Sequence, residues 1–127
     1  MLKKILFFAC FSFAAHSAQS EETCASMGVV ATNYSSAAYQ LAAEHTDAID
    51  KMGFFDTYMM YLSLLFERSE KEGTHSREFF MAAKIAGASI KGEKAQLTEK
   101  LSSKGYEALF PRMVVRSCEI VRANPKP

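Results

Sequence analysis

The chain has 127 residues, of which 15 are basic and 14 acidic; 49% are hydrophobic, none is tryptophan and three are cysteine. That is one domain's length, with apolar residues enough for a single core. The nearly neutral balance excludes the dense positive charge by which proteins hold nucleic acid or anionic membrane surfaces.

Residues 1–20 read as a cleavable secretory signal. Lys3 and Lys4 precede an apolar run of 11 residues, Ile5 to Ala15, and small and polar residues follow to Ser20. The run is about half of the roughly 20 residues that span a bilayer, so export and cleavage before Glu21 are expected rather than a stable membrane anchor. Lys3, Lys4 and Cys10 leave with the signal, so 13 bases, 14 acids and two cysteines remain. In a periplasmic or extracellular setting, Cys24 and Cys118 read as one disulfide joining the two ends of a single domain over 21–123. Closing so long a loop stabilises by about 4–5 kcal/mol in the chain-entropy account. Residues 124–127 read as a disordered tail.

The remainder predicts an all-α bundle of four to five helices. Cys24, Met27, Ala31, Tyr34, Ala38, Leu41, His45, Ala48 and Met52 keep three-four spacing, which predicts one long helix capped by Thr23 and ended at Gly53. Asn33 and the Ser35–Ser36 pair are weak helix formers that invite a kink. A second helix is expected from Asp56 as N-cap to about Lys71, ended by Gly73, with solvated charged turns from Glu67 to Glu72.

Thr74 or Ser76 starts a third helix with Phe79, Ala83, Ala86 and Ile90 inward. Its small residues Ala82, Ala83, Ala86, Gly87 and Ala88 let a neighbouring helix approach closely. A short charged helix follows Gly92 and stops at Gly105. The last helix begins at Pro111, the position where a missing amide hydrogen costs nothing, with Val114, Cys118 and Val121 inward. Acids concentrate before Asp56 and bases after Lys91, so the first and last helices are expected side by side and antiparallel, with Cys24 beside Cys118.

Chemistry was sought at each ionisable cluster. His45 on the first helix's inner stripe suits an axial ligand in a haem or metal carrier, but no second inward histidine and no Cys-x-x-Cys-His accompany it. Glu72 and His75 have di-iron spacing, yet one pair is half of what that chemistry needs, and Gly73 interrupts it. The seven methionines fall mostly at helical spacing, which is packing. Arg112 and Arg116 share a solvated face. No nucleophile elbow or phosphate loop is present, so no catalytic residue, metal ligand or cofactor is assigned.

The second helix is unusual. From Phe54 to Phe66, ten of thirteen residues are Phe, Tyr, Met or Leu. Apolar character all round means central burial or a face covered by a partner. The surface version would use Phe54, Phe55, Tyr58, Met59 and Tyr61 against a protein partner or a second copy. The resulting expectation is a small exported non-enzymatic binding protein of inhibitor or immunity type, with a cofactor carrier as the alternative.

Overall fold

A computed structural model describes residues 22–101 and 103–124; the expected signal, 1–20, and residues 125–127 of the expected tail lie outside them. Five helices follow in order: α1 (Cys24–Glu44), α2 (Thr46–Glu72), α3 (Arg77–Gly92), α4 (Lys94–Lys100) and α5 (Ser103–Ala123). The bundle is all-α, and there is no strand among the described residues. None of the described helices is long and apolar enough to cross a membrane.

Thr23 caps α1 as its sequence predicts, its Oγ1 accepting from the Ser26 amide at 2.9 Å. The buried face of α1 is made almost entirely of small residues: Gly28, Ala31, Ser35, Ala38 and Ala42, with Met27. Small side chains let another backbone come close, and α5 does so. A Cβ built on Gly28 would lie 2.5 Å from Val115 Cγ2. Cys24 bonds to Cys118 with 5.5 Å between Cα atoms, and Ser35 reaches the Glu107 carbonyl. Rising numbers on α1 thus meet falling numbers on α5, the antiparallel pairing the cysteines imply.

The first helix is shorter than its spacing predicts. It stops at Glu44, and His45 adopts φ −99°, ψ 70°. His45, Thr46 and Asp47 are successive weak helix formers, and Asp47 favours the start of a new helix, where the amide dipoles point outward. The expected kink at Asn33 to Ser36 does not occur. After about two further turns the chain breaks again at Gly53, whose φ of 88° only glycine adopts freely. From there α2 folds back along α1, with Phe54 against Tyr39, Tyr58 against Ser35 and Phe66 against Tyr34.

Ser76 caps α3, accepting from the Phe79 amide at 3.1 Å. Phe79, Phe80, Ala82, Ala83, Ala86 and Ile90 are buried along it. The complementary charges of the chain's two ends are used differently from expectation. Arg122 of α5 forms its ion pair with Glu78 of α3 at 2.7 Å, which holds the Glu78 carboxyl below its ordinary pKa, and donates to the Glu22 carbonyl ahead of α1.

The last helix corrects the sequence expectation most. It starts at Ser103, so Pro111 lies inside it rather than at its first position. A proline there removes the amide that would bond the carbonyl four residues earlier, a loss of about 3 kcal/mol or more when nothing compensates. That carbonyl belongs to Glu107, and the Ser35 hydroxyl donates to it at 2.8 Å. The neighbouring helix supplies what the proline took away.

The Gly28 contact yields a direct test. Gly28→Ala is expected to destabilise by about 1–3 kcal/mol through overpacking, although alanine favours helix. Val115→Ala in the same chain is expected to recover most of that loss. Urea unfolding of both variants and the double mutant measures the coupling; purely additive effects would mean that the two helices are not in close contact there.

Candidate functional site

The five aromatic and methionine residues considered for a contact face do not lie together on one exposed surface. Phe55, Tyr58 and Met59 are buried, with Tyr58 fully enclosed. Phe54 and Tyr61 are half-buried, Phe54 against Tyr39 and Tyr61 with its hydroxyl 2.8 Å from His45 Nδ1. Burial accounts for part of the apolar character of α2: α1 covers one side, Tyr106 and Phe110 of α5 another, and Phe79 and Phe80 of α3 a third, while Leu64 is exposed. Charged substitutions at Tyr58 and Met59 would therefore attack the core rather than a surface.

His45 is not on an inner stripe. It stands exposed at the break between α1 and α2, which removes the buried placement that made it a candidate axial ligand. Glu72 pairs with Arg68 at 3.6 Å, while His75 lies among the rings of Tyr34, Phe79 and Phe80, so the two do not converge. Among the described residues no three His, Cys, Asp or Glu side chains gather as a metal site requires. Arg112 and Arg116 are exposed, as expected of a solvated face.

One buried polar cluster stands out. The single hydroxyl hydrogen of Ser35 goes to the Glu107 carbonyl, so Tyr58 supplies the hydrogen in the 2.6 Å contact between the two hydroxyls. A longer contact, 3.4 Å, runs from Tyr58 to the Tyr106 carbonyl. Burial pushes the Tyr58 phenol up to about 12 and the Glu107 charge adds to the shift, while a Ser35 hydroxyl that turns to donate to the phenolate opposes it. This cluster lies inside the bundle and offers no opening to a substrate; its role is to tie α1, α2 and α5 together.

The open site lies elsewhere. Between α2 and α3 runs a half-open groove of about 510 Å³. Its α2 wall is Met59, Leu62, Ser63, Phe66, Glu67 and Glu70; its α3 wall is Phe80, Ala83, Lys84, Gly87, Ala88 and Lys91; Phe110 of α5 forms the floor. Both walls repeat at three-four spacing, so each is one face of a helix turned toward the other. The faces do not close because Phe66 packs on Phe110 at 5.6 Å and on Phe80 at 6.4 Å, and these rings hold the helices apart. Acids line the α2 rim and lysines the α3 rim, bridged at one end by Lys84 to Glu70 at 3.1 Å. Lys94 pairs with Asp56 at 2.8 Å outside the lining.

Of the five residues proposed from the sequence only Met59 lines the groove, and the α3 wall was not identified as a site. The small residues of α3 were the available signal: Ala82, Ala83 and Ala86 pack inward, but Gly87 and Ala88 face the groove. Compared with known protein families, curated proteins and solved structures, the chain matches none.

Two outcomes follow from the polar cluster. Ser35→Ala is expected to cost about 1–3 kcal/mol by removing the donor to a buried carbonyl, and Pro111→Ala, which restores an amide to that carbonyl, is expected to offset part of the loss in the double mutant; chemical unfolding reads the cycle. Tyr58 has a folded pKa above its ordinary 10, so its contribution is complete below pH 10 and lost as pH climbs toward 12. At 1.36 kcal/mol per unit this amounts to about 2–3 kcal/mol. Stability of the native protein is expected to fall more steeply across pH 10–12 than that of Tyr58→Phe; parallel curves would contradict the assignment.

Proposed function

We propose that this chain is a small non-enzymatic binding protein, exported through its N-terminal signal and acting outside the cytoplasm by contact with a protein partner. The observation that carries the reading is the groove: a built, apolar, charged-rimmed opening on a bundle whose ends are covalently joined. Recognition surfaces of this kind combine an apolar centre with a polar rim.

Export is supported by the order of charge, apolar run and small residues over 1–20, and by the Cys24–Cys118 bond, which is compatible with an oxidising compartment. The binding role is supported by the lining of the groove, an apolar centre between an acidic and a basic rim. The pKa shifts at Tyr58 and Glu78 have structural causes in the bundle. An inhibitor or immunity-type role, in which one face is occluded, fits a compact scaffold of this size.

Ala88 offers a clean test, because it is exposed, lines the groove and lies within one turn of both Lys84 and Lys91. Ala88→Glu is expected to leave the melting temperature nearly unchanged. Immobilised oxidised protein starting at Glu21 is expected to capture one protein from the native envelope fraction, with the yield lowered about tenfold on Ala88→Glu. A partner that ignores this substitution would move the site. Recovery of the native protein from the cytosol with Met1 intact and both thiols reduced would end the proposal.

A further inference from the structure

If the groove is the site of protein contact, as just proposed, its geometry also specifies what enters it. We infer that it receives a single amphipathic α-helix of the partner, of about three turns, with a basic flank on the α2 wall, an acidic flank on the α3 wall and a small residue over Gly87.

Length comes first. Eleven positions of α2 separate Met59 from Glu70, the first and last residues of its wall. At 1.5 Å per residue that is about 17 Å, about three turns of helix. Two parallel walls with a half-open top match the missing helix of a bundle, which lays one apolar face down and leaves its other face in water.

Gly87 supplies the second argument. It lies in the interior of α3, where glycine costs about 1 kcal/mol relative to alanine. A Cβ there would meet nothing within 4 Å, so the chain's own packing has no use for its absence. Ala83 precedes it by one turn and Ala88 follows it, both on the same wall. Such a low spot lets an incoming backbone settle closer than side chains would otherwise allow.

Charge selects a helix over an acyl chain. An anionic amphiphile has one head group and is best served by cations at one end. Here Glu67 and Glu70 line one side while Lys84 and Lys91 line the other, with one Glu70–Lys84 pair between the two sides. Only an occupant with side chains on both flanks meets all four. The exposed Glu70–Lys84 bridge does not bar the way, because exposed pairs contribute about 0–1 kcal/mol; Glu70 turns to a lysine of the partner and Lys84 to a carboxylate.

The probe is a fluorescein-labelled 14-residue peptide with leucine and alanine at three-four spacing, lysines on one flank and glutamates on the other. Two controls keep the apolar face and carry lysine on both flanks or glutamate on both. Anisotropy titration into the intact oxidised protein is expected to show the mixed peptide binding about tenfold tighter than either control. Gly87→Leu is expected to lower that affinity at least tenfold while the melting temperature holds or rises; Gly87→Ala stabilises the fold and weakens the peptide less. Lys84→Glu is expected to shift preference toward the all-lysine peptide. Equal binding of the three peptides, or indifference to Gly87→Leu, overturns the inference, as does dodecanoate binding in the groove where the mixed peptide does not. If the peptides fail while Ala88→Glu still releases the envelope partner, the helical occupant is refuted and the groove remains the contact site. If both fail, the groove is not the site.

Discussion

The close antiparallel contact between α1 and α5 is the constraint from which the other features follow. Gly28 lets the two backbones approach at Val115. That approach brings Cys24 to Cys118 at one end, and further along it places the Ser35 hydroxyl 2.8 Å from the Glu107 carbonyl. Were the helices to stand farther apart, as bulkier residues on α1 would require, Ser35 could not replace the amide that Pro111 lacks. A proline in mid-helix is therefore tolerable in α5 only in the company of α1. The two helices are one unit in the energetic sense: each satisfies a need the other creates.

The groove is a consequence of how α2 and α3 attach to that unit. Each is anchored on α1 and α5 more than on the other: α2 through Tyr58 and Phe66, α3 through Arg122 and the ring cluster. The rings of Phe66, Phe80 and Phe110 are too large to let α2 and α3 close over them, while alanine and glycine on α3 are too small to fill the space above. Large residues beneath and small ones beside make a trough. Swapping the two classes would produce a closed bundle of the same helix count.

Much of the fold was legible because it rests on local rules. Thr23 and Ser76 cap helices, Gly73 ends one in the left-handed conformation, and the cysteines pair as the two chain ends of an antiparallel arrangement should. What was illegible depended on distant partners. Nothing near Pro111 in sequence reveals that Ser35, far off along the chain, will bond the Glu107 carbonyl, so the last helix was expected to start eight residues too late. The inner stripe ran correctly through Ala38 but then took Leu41, which is exposed, in place of the buried Ala42, and was carried over the break at His45, because apolar spacing persisted through three weak helix formers. The aromatic run of α2 was ambiguous for a different reason. Burial on several sides and coverage by a partner leave the same composition, and only the positions of α1, α3 and α5 distinguish them.

An open groove sets a cost that the covalent bond helps to offset. Two helical faces left apart forgo the apolar burial that would come from packing them together, in a domain of about a hundred residues whose net stability is of order 5–15 kcal/mol. A disulfide closing 94 positions lowers the entropy of the unfolded chain by an amount comparable to a large share of that stability. It does so at the α1–α5 contact, away from the groove, so the side that recognises need not be the side that holds. Packing α2 onto α3 would add the same stability with or without the bond, which acts on the unfolded chain; the bond supplies from elsewhere what the open faces forgo. With it, the chain can keep Gly87 in mid-helix and a trough beside it, features that its own folding gives no reason to retain.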